Sequence, residues 1–268
     1  MNVTRDVLES LCQIAEAAGR EAMEVYHSDF AVRQKDDASP LTEADLRADK
    51  VIRTELERTF PGMFILSEES SSLAATELDQ DTTGTFFLVD PLDGTKEFVK
   101  RNGEFTVNIA LIQQGKPVAG VVLAPALDEL FYAAEGLGAW KRTSTCIISL
   151  KVAPFGGGRS LHIIGSRSHG SEALNQWLTK LNYEYTFIAA GSALKFCRIA
   201  EALADLYPRF GPTSQWDTAA AQCVLEQAGG AVCDFSGASL RYGLDRPILN
   251  PYFFAAGDPS LLVDLPVS

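Results

Sequence analysis

Asp90 and Asp93 stand three positions apart at the end of an apolar, aromatic and β-branched run, Thr85-Phe86-Phe87-Leu88-Val89. That run has the make-up of a buried strand. Pro91 is expected to end the strand at Asp90, with Gly94-Thr95 turning the chain after Asp93. Two carboxylates fixed at one strand mouth can share a cation or bridge two. Hard cations such as Mg²⁺ take oxygen ligands, and the bend can turn the Leu92 carbonyl to the same place. Ordinary turn chemistry accounts for Asp90-Pro91-Leu92-Asp93-Gly94-Thr95 as well, because proline and Asp-Gly are common turn residues. Taken alone, the hexapeptide leaves both readings open.

A second candidate group lies further along. Gly191-Ser192 falls between an expected strand and an expected helix, where free backbone N–H groups and a hydroxyl can meet an anion. Lys195 adds positive charge one turn later, and Arg209, after another strand, can fork two phosphate oxygens. Simple surface charge is the plain alternative for both. Three further acids have plain structural readings. Glu68, before a serine-rich loop, reads as a solvated turn acid. Asp45 follows Thr42 at capping-box spacing. Asp217 reads as the N-cap of a helix that Gly229-Gly230 ends.

The elements that must position these groups follow from periodicity. Val7, Leu11, Ile14, Ala18, Ala22 and Val25 recur at helical spacing with Glu9, Glu16, Arg20 and Glu24 mostly between them, which predicts an amphipathic first helix. Its polar face is too acidic to favour anionic lipid, so it is read as core packing. Thr42 opens a second helix with Ala44, Ala48, Val51, Ile52 and Leu56 on one face. Residues 63–66 form a short strand ending at Ser67-Glu68-Glu69. Residues 106–113 and 117–124 flank Gln114-Gly115-Lys116 as a hairpin, and 129–134 and 139–142 continue the meander. The glycine-rich stretch 151–159 is the one clear composition break, which divides the chain into an α+β lobe, 1–152, and an α/β lobe, 153–268. Beyond it strands at 161–165, 185–190, 206–207, 231–233 and 252–256 alternate with helices at 171–181, 193–203 and 218–227, the pattern of an α/β layer.

Composition narrows the function. A hydrophobic fraction of 46% and a charged fraction of 22% over 268 residues are those of a globular chain. No apolar run reaches the roughly 20 residues that a spanning helix needs, and no secretory signal is expected. The net charge of −12, from 23 basic and 35 acidic side chains, argues against a nucleic-acid-binding surface. An anionic substrate remains compatible if carboxylates hold divalent cations, which invert the local field, and a local basic patch is then expected beside them. Cys12, Cys146, Cys197, Cys223 and Cys233 are odd in number and lack metal-type spacing. They point to free, buried thiols in a reducing, cytoplasmic setting.

Residues 90–112 read DPLDGTKEFVKRNGEFTVNIALI, and this stretch resembles the inositol monophosphatase superfamily, most closely its 3'(2'),5'-bisphosphate nucleotidase branch. Leu41-Thr42-Glu43-Ala44-Asp45, Leu66-Ser67-Glu68-Glu69 and Gly165-Ser166-Arg167-Ser168-His169 support the resemblance. So do Gly191-Ser192-Ala193-Leu194-Lys195-Phe196-Cys197, Leu206-Tyr207-Pro208-Arg209-Phe210-Gly211-Pro212 and Trp216-Asp217-Thr218-Ala219-Ala220. It implies a two-lobed, layered α-β-α-β-α sandwich of mixed α+β and α/β class, with a cleft where Asp217 meets the first-lobe acids.

By that resemblance Glu68, Asp90, Asp93, Asp217 and the Leu92 carbonyl hold about two or three Mg²⁺ ions, and Asp45 with Thr95 orients and deprotonates the attacking water. Glu68, Asp93, Gly94, Thr95 and Asp217 also border the substrate. Ser192, Lys195 and Arg209 would hold a phosphate that is not cleaved, while Ser166, Arg167, Ser168 and His169 would line a nucleoside pocket. Position 193 departs from the usual serine of the branch, since Ala193 removes one phosphate hydroxyl. His27 and His162 read as structural. The implied activity is Mg²⁺-dependent removal of the 3'-phosphate from adenosine 3',5'-bisphosphate, with 3'-phosphoadenylyl sulfate and inositol 1,4-bisphosphate as secondary substrates and Li⁺ as inhibitor. Phosphatases of the haloacid dehalogenase type space their aspartates at i and i+2, unlike this pair, so no covalent phosphoenzyme is expected. The alternatives are an inositol-monophosphate or sugar-bisphosphate phosphatase with the same metals, and a non-catalytic phosphate- or metal-binding module. The sequence does not set the oligomeric state. Some members of the branch are assigned to the inner face of the bacterial membrane, a peripheral association that composition does not dictate.

Overall fold

A computed structural model describes residues 2–34, 40–70, 84–156, 158–166, 172–263 and 265–266, with the backbone alone at 33–34 and 40–41. The predicted amphipathic stripe forms α1 (Arg5–Tyr26), which starts where the Thr4 hydroxyl accepts the Val7 N–H. A short antiparallel pair, β1 (Arg33–Gln34) and β2 (Pro40–Leu41), leads into α2 (Glu43–Thr59). The first large sheet has seven strands in chain order: β3 (Phe64–Ser67), β4 (Thr85–Asp93), β5 (Thr106–Gln113), β6 (Lys116–Ala124), β7 (Glu129–Ala134), β8 (Gly138–Arg142) and β9 (Ile147–Ser149). Only β3 and β4 are parallel. The β5–β6 hairpin turns on Gln114 and Gly115, whose φ angles of 48° and 78° belong to a primed turn that matches strand twist. A short helix, α3 (Thr95–Val99), which periodicity did not predict, follows β4 directly.

The second sheet has five strands, β10 (Leu161–Ser166), β11 (Tyr185–Ala190), β12 (Leu206–Arg209), β13 (Ala231–Asp234) and β14 (Phe253–Ala256), in the order β11-β10-β12-β14-β13. Its helices are α4 (Glu172–Thr179), α5 (Leu194–Ala200) and α6 (Gln215–Gln227). The expected α-β-α-β-α layers are present. Leu11, Ile14, Ala48 and Ile52 of α1 and α2 pack on Phe87, Val89 and Val107 of the first sheet. Phe196, Ala220 and Val224 of α5 and α6 fill the space between Leu88 and Val122 on one side and Ile164 and Phe253 on the other. Leu174 and Trp177 of α4 cover the far face with Ile163 and Phe254. Strands before and after residue 152 thus build different sheets, while one apolar cluster joins both. Among the described residues no helix is long and apolar enough to cross a membrane.

Three local expectations are corrected. Strand β4 does not end at Asp90 but runs through Pro91 to Asp93. Its pairing with β3 stops at Val89 and its register with β5 shifts between Asp90 and Asp93, so no ladder bond is asked of the proline nitrogen, as at other bulges. The helix expected at 193–203 is only Leu194–Ala200. Of the five cysteines, Cys146 is exposed rather than buried.

Candidate active site

The bulge in β4 explains how two aspartates three apart serve one place. On a regular strand, positions 90 and 93 would face opposite sides. Here Asp90 pairs with Asn108 and Asp93 with Thr106, and those two partners, two apart on β5, share a face. The extra residue therefore turns both carboxylates to the same side. Leu92 N–H donates to Asp90 Oδ1 at 3.1 Å, and Asn108 Nδ2 to Asp93 Oδ2 at 3.4 Å. Gly94 follows at φ 88°, a left-handed conformation that favours glycine. It starts α3, so that the Thr95 hydroxyl lies 3.4 Å from the Leu92 carbonyl and 3.5 Å from Asp45 Oδ1.

Asp45 and Asp217 reach the same region by one device. Each stands three residues after the N-cap of a capping box, Thr42 or Ser214. Asp45 Oδ2 accepts the Thr42 N–H at 2.8 Å, and Asp217 Oδ2 accepts the Ser214 N–H at 2.8 Å. Asp217 is therefore not an N-cap, as its sequence context suggested; Ser214 is, because the helix begins one turn earlier than its apolar pattern. One oxygen of each carboxylate completes the helix start. Asp45 Oδ1 faces the Thr95 hydroxyl, and Asp217 borders the cleft.

A cleft of about 270 Å³ is lined by Glu68, Asp90, Leu92, Asp93, Gly94, Thr95 and Asp217 from the acidic side, and by Ser166, Ser192, Lys195 and Arg209 from the other. Every metal candidate and every described substrate candidate named from the sequence borders it, together with Asp45 through Thr95. His169, with Arg167 and Ser168, lies outside the described residues. Lys96, Glu97 and Tyr207 also line it. The first two stand inside the DGTKEF stretch, but nothing in their spacing singled them out.

Charge is the dominant feature of this cleft. Burial pushes Asp93 up to about 6, with Lys195 opposing the shift and Glu68 adding to it. Burial, and then the Asp93 charge, pushes Asp217 up to about 8. Burial also draws Lys195 down to about 8 against the pull of Asp93. Carboxylates crowded in this way favour a divalent cation, and all the donors are hard oxygens. Among the described residues, no three acidic, histidine or cysteine side chains are gathered tightly enough to hold an ion as they stand. The donor set thus fits Mg²⁺, which commonly takes one or two carboxylates and completes its shell with water and substrate phosphate, rather than a closed all-protein cage.

On the opposite wall Lys195 Nζ donates to the Ser192 carbonyl at 2.5 Å and sits 5.4 Å from the Tyr207 ring centroid. Arg209 is held by Ser166 Oγ at 2.8 Å and by the Gly211 and Pro212 carbonyls at 3.2 and 2.8 Å. The Ser192 hydroxyl is buried without a hydrogen-bond partner. The expectation of free backbone N–H groups here is corrected for Gly191. Gly191 N–H donates to Glu104 Oε2 at 2.9 Å, and the N–H of Ala193 is taken by Asp93. The Ser192, Lys195 and Arg209 side chains line this wall.

The chain matches the inositol monophosphatase family over residues 4–260. It is 47% identical over 249 residues to the 3'(2'),5'-bisphosphate nucleotidase CysQ of Salmonella typhimurium, covering 92% of this chain and 98% of that one. Identity to the Escherichia coli K12 protein of the same name is 45%, with the same coverage. Among solved structures, CysQ from Bacteroides thetaiotaomicron, a bacterial member of the inositol monophosphatase family, superposes with a TM-score of 0.77 at 33% identity, covering 92% of this chain and 96% of the other.

Proposed function

The chain belongs to the inositol monophosphatase family, and from that premise we propose that it is a Mg²⁺-dependent 3'(2'),5'-bisphosphate nucleotidase. In this reading it releases the 3'-phosphate of adenosine 3',5'-bisphosphate as inorganic phosphate and leaves AMP. The observation that carries it is the presence of two separate groups in one cleft, one of carboxylates that meets a phosphate through bound cations and one that meets an anion directly. Glu68, Asp90, Asp93 and Asp217 form one, and Ser192, Lys195 and Arg209 the other. A substrate with two phosphates uses both; a monophosphate leaves the second idle. The nucleotidase relatives of 45–47% identity support the same choice.

Glu68, Asp90, Asp93, Asp217 and the Leu92 carbonyl would hold the metal. When bound, Mg²⁺ supplies charge neutralisation to the phosphoryl oxygens and acidity to water. Asp45 accepts a proton through Thr95 Oγ1, whose hydroxyl faces both Asp45 and the Leu92 carbonyl. Lys195 and Arg209 anchor the phosphate that stays, and the Ser192 hydroxyl gains there the partner it lacks in the fold. Ser166 holds the Arg209 fork in place. Ala193 has a buried methyl where a further hydroxyl is expected, and these three side chains carry that task without it. 3'-Phosphoadenylyl sulfate and inositol 1,4-bisphosphate are secondary substrates, and Li⁺ inhibits. A cytoplasmic setting goes with the reading, since free thiols persist there.

The test is a substrate panel with Mg²⁺, in which products are identified by phosphorus NMR. The expected outcome is AMP from adenosine 3',5'-bisphosphate, formed faster than inositol is formed from inositol 1-phosphate. Faster turnover of inositol 1-phosphate would overturn the substrate assignment, and intact esters throughout would leave only a binding module.

A further inference from the structure

The two walls of the cleft meet at a seam built on two glycines from different sheets. Gly94 lies between Asp93 and Thr95 after β4, and Gly191 precedes Ser192 after β11. A Cβ on Gly94 would stand 3.1 Å from the Glu104 carbonyl oxygen and 3.3 Å from Ser192 Cβ. A Cβ on Gly191 would stand 2.5 Å from the same carbonyl oxygen and 2.8 Å from Glu97 Cγ. Gly191 has no room for a side chain and Gly94 only a tight fit, so the metal-side turn and the anion-side turn both pack on the main chain of one residue, Glu104. The Glu104 carboxylate then takes the Gly191 N–H at 2.9 Å. The next residue, Ser192, adopts φ 46°, a left-handed conformation that strains a non-glycine residue and needs support from its surroundings. Its reward is placement: the partnerless hydroxyl borders the cleft.

We infer that Glu104 is a positioning residue. By holding the Gly191-Ser192 turn against Gly94, it sets the distance between the phosphoryl group that is cleaved and the second phosphate of the same substrate. It thereby determines selectivity for doubly over singly phosphorylated nucleotides. The role rests on the bisphosphate reading above and adds a residue that touches neither phosphate. Glutamine can preserve it, because an amide oxygen still accepts from Gly191; alanine cannot.

The experiment compares kcat and KM for adenosine 3',5'-bisphosphate and adenosine 3'-monophosphate in the wild type, Glu104→Ala and Glu104→Gln, with thermal midpoints recorded for each. A hydrogen bond to a charged group contributes about 1.5–3 kcal/mol, so the ratio of the two kcat/KM values should fall about tenfold or more in Glu104→Ala. The fall should come chiefly through KM of the bisphosphate, and Glu104→Gln, whose neutral oxygen makes a weaker bond, should recover part of it. Equal losses on both substrates, an unchanged ratio in Glu104→Ala, or a Gln variant no better than Ala would each overturn the positioning role. Should the Ala variant fail to fold, Glu104→Asp is the second probe, since it keeps the charge but withdraws the carboxylate from the Gly191 N–H: an unchanged ratio contradicts the proposal, and a fall carried by KM of the bisphosphate supports it. Wild-type indifference to the second phosphate would instead overturn the functional reading, which keeps the two failures apart.

Discussion

Asp45 divides its carboxylate between two tasks, with Oδ1 3.5 Å from the Thr95 hydroxyl and Oδ2 accepting the N–H and hydroxyl of Thr42 at 2.8 and 2.7 Å. The capping bonds fix the side chain, buried at the start of α2, so its other oxygen has one direction to point. In the proposed mechanism this places the proton acceptor through the chemistry of a helix start.

Asp45→Asn separates the two tasks. The amide oxygen can still accept from Thr42, so the thermal midpoint should change little, while kcat should fall by about 10²–10⁴ as a proton acceptor is lost. Thr95→Ala should show a loss of the same order, and Thr95→Ser, which keeps the hydroxyl, a much smaller one. An Asp45→Asn enzyme with normal kcat would remove Asp45 from the chemistry.

Loss of one acid should weaken the metal rather than the substrate. Asp93→Asn is expected to raise the Mg²⁺ concentration for half-maximal rate by about tenfold or more, since one charged oxygen ligand is removed. A chelator should abolish wild-type turnover and added Mg²⁺ restore it. Turnover indifferent to chelation would contradict the assignment.

The crowded acids also set a pH dependence of stability in the metal-free protein. Asp93 and Asp217 carry raised values, about 6 and about 8, in the folded state. Between the ordinary carboxylate range and pH 8 the folded state therefore binds more protons than the unfolded one, and stability falls as pH rises. Lys195, lowered to about 8, acts with the opposite sign, but only above that pH. Thermal midpoints in chelator should thus decline between about pH 5 and pH 8, and Asp217→Asn should flatten the decline. A wild-type midpoint that climbs over this window would count against the assignment.

Ser192 should show a trade between stability and binding. A buried hydroxyl without a partner costs about 1–3 kcal/mol, so Ser192→Ala is expected to leave the fold as stable or slightly more so. The same change should raise KM for adenosine 3',5'-bisphosphate several-fold. A variant with lower stability and unchanged KM would make the hydroxyl a structural group.

Much of this was legible in the chain. The stripe from Val7 to Val25, the paired runs around Gln114-Gly115 and the strand-helix alternation after residue 160 follow from periodicity, which reports which face is buried. The pairing of Asp90 and Asp93 on one face was not legible, because it depends on a register shift against Asn108 and Thr106 that belongs to two strands at once. Pro91 suggests a strand end for the same reason, although the strand runs on to Asp93. Helix α6 starts one turn before its apolar pattern because Gln215 and Trp216 are buried by tertiary contacts that a one-dimensional pattern does not contain. The occupation of the Gly191 N–H by Glu104, 87 positions away in sequence, left no local trace.

The most direct test is anomalous scattering from crystals grown with Mn²⁺, as a stand-in for Mg²⁺, and adenosine 3',5'-bisphosphate. The account predicts at least one strong peak within about 2.0–2.3 Å of oxygens from the Asp90/Asp93 pair, flanked by Glu68 and Asp217, with the 3'-phosphate beside Thr95 and the 5'-phosphate on Lys195 and Arg209. Manganese bound elsewhere with the cleft empty, or a nucleotide in the reverse orientation, would contradict it.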